Sequence, residues 1–205
     1  MLTSYQDLTI LLTCTEPLQT AQIMADFPAP WCICGGWAID LFVDCPTRAH
    51  KDVDIAILRR DQLALRSYLT ARGWILEKAH QGRLFPWRED EFIELPLHTI
   101  WCKDPANRSD FFEILFNEAT PTHFLFRRDP AIMLPFNQAF LQLESGLPVL
   151  APEIVLLYKA KSPLQEGNRA DFETVLPYLD LDRREWLKAA LARLYPGHPW
   201  LNRLK

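Results

Sequence analysis

The chain has 205 residues, of which 49% are hydrophobic, and it carries a formal net charge of −4. This length permits one large domain, or a core domain with a smaller extension, and it supplies enough apolar side chains for a sizeable core. The slight acidic excess argues against a general nucleic-acid surface, which requires basic residues in excess. No run of about 18 apolar residues is present, so a membrane span is not expected.

The cysteines and the start of the chain indicate a reduced, cytoplasmic protein. The opening stretch, MLTSYQDLTILLTCTEPL, has neither a basic first region nor a continuous apolar run, so no secretory signal is predicted. The five cysteines are irregularly spaced and suggest no disulfide framework. Cys32 and Cys34 lack a second cysteine pair for zinc, and we expect them to pack in the core.

The hydrophobic pattern predicts strands and helices that alternate in the first half of the chain. In chain order we predict helices 4–13 and 16–26, strand 31–34, helix 37–43, strand 52–58, helix 61–72, strands 74–78, 97–103 and 110–116, and helices 152–163, 169–179 and 182–194. The polar segment 79–94 is predicted to be irregular. This order implies an α+β fold with a mixed sheet covered mainly on one face.

The character of the sequence changes near residue 130, where prolines become frequent. We therefore expect an αβ core over residues 1–125 and a helical C-terminal region over residues 126–205. Pro152 suits the first turn of a helix, and Asp180 or Asp182 suits the N-cap of the last helix.

A pair of acids, Asp52 and Asp54, opens a strand that is otherwise apolar. Side chains alternate along a strand, so both carboxylates are expected on one face, with Cα atoms about 7 Å apart. Unpaired, the two charges repel each other, and Mg²⁺ would relieve the repulsion because it prefers carboxylate oxygens. The pair suits phosphoryl or nucleotidyl transfer, although a solvated rim or a turn cap also explains such a short motif.

A glycine pair, Gly35 and Gly36, separates the strand at 31–34 from the following helix. Such a pair lets the backbone approach a ligand and presents helix N–H groups to phosphate, although it also commonly makes only a tight turn. The order of strand, glycine pair, helix, loop and Asp-x-Asp strand is more informative than either motif alone.

The stretch GGWAIDLFVDCPTRAHKDVDIAI resembles the signature of the DNA polymerase β-like nucleotidyltransferase superfamily. Within it, the stretch is most similar to the branch that adenylates the 2″-hydroxyl of aminoglycosides. The similarity includes the flanking residues Trp37, Asp40, Thr47, Arg48 and His50. It implies the nucleotidyltransferase fold with a helical C-terminal region, and an enzyme that uses Mg²⁺ and a nucleoside triphosphate, with ATP as the expected donor. It also implies that Asp52 and Asp54 hold the metal, and that Gly35 and Gly36 hold the phosphates.

The resemblance implies a third acid on a neighbouring strand, as a metal ligand or as a base. Glu113 is our choice, because it stands alone among apolar residues in DFFEILF, where a charge is costly unless it is paired or bound to metal. Glutamate departs from the aspartate that is usual in the family. Asp110 and Glu94 are the rival candidates, and an outward position on a half-exposed strand is the alternative for Glu113.

Basic residues near these motifs are candidates for binding phosphate. Arg48 and His50 precede the acids, and His50 could instead order its loop by a hydrogen bond. The resemblance indicates that either Lys159 or Lys161 binds the triphosphate. Residues two apart on a helix differ by about 200°, so both are not expected to face the cleft, and we favour Lys159.

The acceptor is expected to be a hydroxyl group of a small molecule, and an aminoglycoside-like antibiotic is one candidate. Acids in the segment REDEFIE would suit a cationic acceptor if they lay near the cleft. These acids are Glu89, Asp90, Glu91 and Glu94. Trp87 could stack on a substrate ring, but packing at the rim is the expectation.

Two alternatives remain open at this point. A protein or RNA acceptor would make the chain similar to the nucleotidyltransferases of toxin–antitoxin pairs, and the low positive charge disfavours RNA. A nucleotide-binding protein without catalysis is the other alternative, which the crowding of the acids disfavours.

Overall fold

The structure is a computed structural model that describes residues 15–104 and 111–205. The helix expected at residues 4–13, Cys14 and Asp110 lie outside these ranges. The helices within them are α1 (Thr15–Met24), α2 (Gly35–Phe42), α3 (Gln62–Thr70), α4 (Phe136–Ala139), α5 (Pro152–Lys159), α6 (Glu166–Val175) and α7 (Leu181–Leu194). No helix in the described part of the chain is both long enough and apolar enough to cross a membrane.

The strands of the described residues form one mixed sheet. They are β1 (Trp31–Cys34), β2 (Val53–Leu58), β3 (Ile75–His80), β4 (Arg83–Pro86), β5 (Thr99–Lys103), β6 (Phe111–Ala119), β7 (His123–Leu125), β8 (Met133–Pro135), β9 (Phe140–Gln142) and β10 (Pro148–Leu150). The main order is β4-β3-β5-β6-β2-β1-β10-β9, while β7 pairs with β6 and with β8. The expected α+β class with a mixed sheet is confirmed.

The central strand β2 is buried on both of its faces after its first two residues. Ile55 and Ile57 point to one face, Ala56 and Leu58 point to the other, and all four side chains are almost fully buried. The expectation of a sheet covered mainly on one face is therefore wrong at the centre of the sheet. Continuous apolar sequence, rather than alternation, is typical of a strand that is covered on both sides.

The segment predicted to be irregular, 79–94, contributes to a hairpin. Strand β3 continues to His80, and β4 pairs with it in antiparallel register. Gln81 and Gly82 connect the strands, and both have positive φ. This conformation matches the right-handed twist of a tight hairpin. The polar composition of the segment reflects exposure at the edge of the sheet rather than irregular backbone.

Residues 126–150 contain strands and only one short helix. Strand β10 pairs in parallel with β1, with Val149 opposite Ile33, and β9 pairs with β10. Helices α5 to α7 follow, so the helical character that we expected for residues 126–205 begins at Pro152. A division of the chain near residue 125 stays a prediction.

The ends of the C-terminal helices follow the sequence signals. Pro152 begins α5, and the side chain of Asp180 caps α7 by accepting a hydrogen bond from the Arg183 N–H. The ring of Trp200 stacks on Phe172 of α6, with centroids 4.3 Å apart, so the last residues are docked on the helices. Cys32 and Cys34 are buried free cysteines, as expected.

Candidate active site

The carboxylates of Asp54 and Glu113 lie side by side on one face of the sheet. Their Cα atoms are register partners on the parallel strands β2 and β6, and partners in a ladder point to the same face. Cys34 of β1 is the partner of Asp54 on the other side. Asp52 lies at a bend just before β2, rather than in the strand as predicted. The structure thus places the three predicted acids at the start of the two central strands.

The pKa values show that these carboxylates repel one another. Burial, together with the charge of Asp52, raises the pKa of Asp54 to about 6. Burial, with the charges of Asp54 and Asp52, raises the pKa of Glu113 to about 7. Burial without a fully compensating cation explains both shifts.

A divalent cation would remove this repulsion, so the donor set fits a magnesium ion chemically. Among residues 15–104 and 111–205, no three histidine, cysteine or carboxylate side chains are arranged closely enough to hold a metal ion as they stand. The fit therefore depends on the type and the mutual repulsion of Asp52, Asp54 and Glu113, and not on a preformed cage.

Gly35 allows the carboxylate of Asp54 to lie against the backbone at the start of α2. Gly35 has a φ of +65°, which residues other than glycine rarely adopt. A Cβ atom at this position would overlap the Asp54 Oδ2 atom. The glycine predicted to hold phosphate is thus also required for the position of the central acid.

Gly36 makes room for the loop that precedes β2. A Cβ atom there would overlap the Arg48 guanidinium group and lie 2.5 Å from the Nδ1 atom of His50. His50 Nε2 lies 2.7 Å from the Oδ2 atom of Asp40, which is fully buried in α2. Asp40 also accepts hydrogen bonds from the N–H and the hydroxyl of Thr47, at 3.1 and 2.5 Å. His50 was predicted either to bind phosphate or to order its loop by a hydrogen bond. The contact with Asp40 is a hydrogen bond of the second kind.

Asp171 of α6 holds two of the predicted phosphate-binding side chains. Arg48 donates to both of its carboxylate oxygens, from Nε at 2.7 Å and from Nη2 at 3.1 Å. The Nζ atom of Lys159 lies 2.7 Å from the Oδ2 atom of Asp171. Burial alone would raise the pKa of Asp171, but the hydrogen bonds and charges of these two cations hold it below its usual value.

Sequence reasoning missed Asp171. A signal was present, since Asp171 and Val175 are four residues apart on the buried side of a helix whose other side is polar. A carboxylate on an apolar helix face needs a partner, and two unpaired cations had already been singled out.

A cavity of about 360 Å³ begins at Asp54 and extends between the sheet and the C-terminal helices. Its volume is in the range of a small-ligand site. Its lining residues are Cys34, Gly35, Asp54, His98, Leu115, Phe116, Asn117, Arg127, Arg128, Leu150, Val155, Tyr158, Lys159, Lys161, Ser162, Gln165 and Asn168. Both Lys159 and Lys161 face the cavity, contrary to the argument from helical periodicity. Helix α5 ends at Lys159, so Lys161 lies beyond the helix and is not bound by its period.

The acids of REDEFIE lie away from this cavity. Glu89, Asp90 and Glu91 line a separate cavity with Lys78, which is ion-paired with Glu91. Lys78 is the register partner of Ile100, which is in turn the register partner of Ile114. Since Ile114 follows Glu113 directly on β6, Lys78 points to the face opposite that of Asp54 and Glu113. Glu94 is exposed and lines neither cavity. The structure does not bring these acids to the site.

Two tryptophans contrast in their relation to the site. Trp87 is buried and packs edge-on against Phe116, with centroids 5.9 Å apart, so it is a core residue. Trp101 of β5, which was not singled out from the sequence, is the register partner of Glu113 and therefore shares its face of the sheet. Trp101 lies on the side of Glu113 away from Asp54 and Gly35.

Comparison with known protein families gives one match within the chain. Residues 18–110 match the family described as aminoglycoside-2''-adenylyltransferase. This segment contains the glycine pair, the loop with Arg48 and His50, and the Asp-x-Asp strand. No curated protein sequence matches the chain.

Solved structures share the fold at low sequence identity. The solution structure of the antibiotic-resistance factor ANT(2'')-Ia is 14% identical, with a TM-score of 0.56 over 94% of this chain and 95% of that one. The lincomycin-bound lincosamide antibiotic adenylyltransferase LnuA is 17% identical, with a TM-score of 0.56 over 80% of this chain and 96% of that one. Crystals of ANT(2'')-Ia with adenylyl-2''-tobramycin give 16% identity and a TM-score of 0.51, over 92% and 98% of the two chains. The fold of this chain is therefore that of antibiotic adenylyltransferases.

Proposed function

We propose that the chain is a nucleotidyltransferase of the DNA polymerase β-like superfamily, and that it transfers AMP from ATP to a hydroxyl group of a small molecule. The observation that carries the proposal is the pairing of Asp54 with Glu113 beside Gly35. Two repelling carboxylates next to a helix N-terminus suit a site where cations and phosphate meet.

The reaction joins the acceptor oxygen to the α-phosphorus of ATP. The bond between the α-phosphorus and the bridging oxygen breaks, and pyrophosphate leaves. Glu113 is the carboxylate proposed to receive the proton of the attacking hydroxyl group, because it lies beside Asp54 on the neighbouring strand.

Asp52, Asp54 and Glu113 are the residues that would hold Mg²⁺. When bound, the ion would neutralise charge on the attacking and leaving oxygens. The carboxylates themselves fix where this charge is concentrated, and Gly35 keeps Asp54 against the start of α2.

The glycine pair and two cations are the proposed phosphate contacts. The first N–H groups of α2 include those of Gly35 and Gly36, and they would donate hydrogen bonds to an anion at the helix N-terminus. Arg48 and Lys159 lie at the same site and are held in place by Asp171. Since both cations share one carboxylate, together they retain a net positive charge for the triphosphate.

The acceptor is expected on the Trp101 side of Glu113, because Gly35 and Lys159 occupy the other side. ANT(2'')-Ia and LnuA are described with tobramycin and lincomycin respectively, so hydroxyl groups of such antibiotics are the first acceptors to test. A nucleic-acid acceptor is not expected, and the cytoplasmic location stays a prediction.

Pyrophosphate release from ATP and Mg²⁺, measured with tobramycin, lincomycin and other hydroxylated compounds, tests the proposal. We expect Asp54→Asn and Glu113→Gln each to lower the rate by at least about 100-fold. Asp90→Asn removes an exposed carboxylate outside the site and serves as the control. If ATP and Mg²⁺ do not bind, the proposed chemistry is wrong. If ATP binds and no compound supports release, only the choice of acceptor is wrong.

A further inference from the structure

The cavity that begins at Asp54 is basic, although the protein as a whole is acidic. Asp54 is the only carboxylate among its lining residues in the described chain, whereas Arg127, Arg128, Lys159 and Lys161 all contribute to the lining. The formal net charge of the chain is −4. Cations that are concentrated in one cleft of an acidic protein favour the binding of an anionic ligand there.

Three of these cations have no carboxylate partner in the described part of the chain. Lys159 is paired with Asp171, but no ion pair involves Arg127, Arg128 or Lys161 there. Burial lowers the pKa of Arg127, so its charge is partly removed from water without an opposite charge beside it. Such a charge is costly unless a ligand compensates it.

The two arginines are held against a fixed aromatic residue. Arg128 donates from Nη1 to the backbone carbonyl of Tyr158 at 3.0 Å, and its guanidinium carbon lies 5.4 Å from the centre of that ring. The guanidinium carbon of Arg127 lies 5.8 Å from the same centre. The hydroxyl of Tyr158 donates to Asn117 Oδ1 at 3.1 Å. Tyr158 thus positions both arginines at the cavity, where Arg127 is half-buried and Arg128 is exposed.

The arginines are separated from the carboxylates along the sheet. Asn117, which anchors Tyr158, lies four residues after Glu113 on β6, a distance of about 13 Å along a strand. A ligand that reacts at Asp54 can therefore extend along the cavity and place an acidic group at the basic end.

We propose that Arg127, Arg128 and Lys161 form an anion-binding subsite that takes a phosphate group at the end of the cavity away from Asp54. The assignment of this group to a substrate rests on the proposed nucleotidyl transfer. The phosphate belongs either to the polyphosphate of ATP or to an acidic acceptor such as a sugar phosphate. If it belongs to the acceptor, a polycationic acceptor would meet like charges in this cavity.

Equilibrium binding of pyrophosphate, ATP and glucose 6-phosphate, measured by titration calorimetry with EDTA present, tests the subsite. We expect the double substitution Arg127→Gln and Arg128→Gln to weaken binding of at least one probe by about 10-fold or more, since charge-assisted hydrogen bonds are lost. Arg127→Lys with Arg128→Lys should recover part of this affinity, because the charge returns. Arg203→Gln, an exposed arginine paired with Glu173 outside the cavity, is the matched control.

The pattern across the probes identifies the source of the phosphate. Loss of affinity for pyrophosphate and ATP assigns the subsite to the donor, and loss for glucose 6-phosphate alone assigns it to the acceptor. If no probe binds the wild-type protein, or if the double variant behaves as the Arg203→Gln control does, the subsite is refuted. Pyrophosphate binding that depends on the arginines, in a protein that does not bind ATP with Mg²⁺, would retain the subsite and reject the proposed chemistry.

Discussion

At the scale of single residues, the glycine pair has a steric role that its motif does not reveal. The side chain of Asp54 occupies the space that a Cβ atom of residue 35 would need. The side chains of Arg48 and His50 occupy the corresponding space at Gly36. The sequence indicated a phosphate contact for both glycines. The structure adds that each glycine also leaves space for a side chain of the candidate site.

Gly35→Ala is expected to lower activity far more than it lowers stability. The new methyl group would displace the Asp54 carboxylate, and a positive φ adds strain of about 1 kcal/mol. We expect the rate of pyrophosphate release to fall by about 100-fold, in line with a catalytic group moved out of position. Thermal unfolding should report the stability change.

Gly146→Ala is the matched control for this substitution. Gly146 also has a positive φ, of +83°, but a Cβ atom there would meet nothing within 4 Å. It should therefore show the same strain and retain activity. Equal losses of activity in the two variants would refute the steric role of Gly35.

At the scale of elements, helix α6 connects the loop that precedes β2 to helix α5. Its Asp171 contacts Arg48 of the loop and Lys159 at the end of α5. Three segments that are distant in sequence therefore depend on one carboxylate for the position of two cations. The main effect of these buried ion pairs is to fix the positions of Arg48 and Lys159, because the cost of removing charges from water offsets much of the stability that the pairs add.

Asp171→Asn is expected to destabilise the protein by about 3 kcal/mol, because two partly buried cations lose their partner. It should also raise the KM for ATP, since Arg48 and Lys159 would no longer be held together. Chemical denaturation and steady-state kinetics measure the two effects.

Glu173→Gln tests whether the effect is specific to the buried position on α6. Glu173 is exposed on the same helix and pairs with Arg203 at 2.8 Å. Its loss should change stability by less than about 1 kcal/mol, as is typical of surface ion pairs. A similar KM for ATP in both variants and the wild type would contradict the role assigned to Asp171.

The elements that sequence predicted well are those with a local cause. Strand 31–34, the glycine-initiated helix and the strand at 52–58 follow from runs of apolar residues and from residues that favour helix ends. Strands β9 and β10 are only three residues long, and their pairing with β1 depends on contacts distant in sequence. The same limit applied to the candidate site, where Glu113 could be proposed from its own strand but Asp171 required knowledge of its partners.

At the scale of the whole molecule, the crowded acids make stability depend on pH. The folded pKa values of Asp54 and Glu113, about 6 and about 7, lie above the ordinary values of 3.8 and 4.5. At pH values between the ordinary and the raised pKa values, the folded state binds more protons than the unfolded state. The metal-free protein is therefore expected to lose stability as the pH rises from about 4 to about 8.

Asp54→Asn should reverse part of this loss. Without the carboxylate, we expect the metal-free protein to be more stable by about 2 kcal/mol at about pH 8, and the variant's stability to depend less on pH. Urea denaturation in EDTA across this range measures both effects. Asp90→Asn, which removes an exposed carboxylate, should leave the pH profile of the wild type unchanged.

Adding Mg²⁺ provides a second comparison on the same proteins. The ion should stabilise the wild type at neutral pH and above more than it stabilises Asp54→Asn, because ligand binding to the folded state shifts unfolding. A wild-type protein whose stability rises with pH in EDTA would show that the acids do not repel one another as inferred.

The pairing of β1 with β10 has a consequence for how the chain is made. Strand β1 has β2 on one side and β10 on the other, and Ile33 pairs with Val149. During synthesis the ribosome releases β1 and β2 long before β10, so one edge of β1 stays open while more than half of the chain is translated. An open apolar edge strand invites pairing with other chains. Expression yield should therefore respond to translation speed and to chaperone supply before residue 150 emerges.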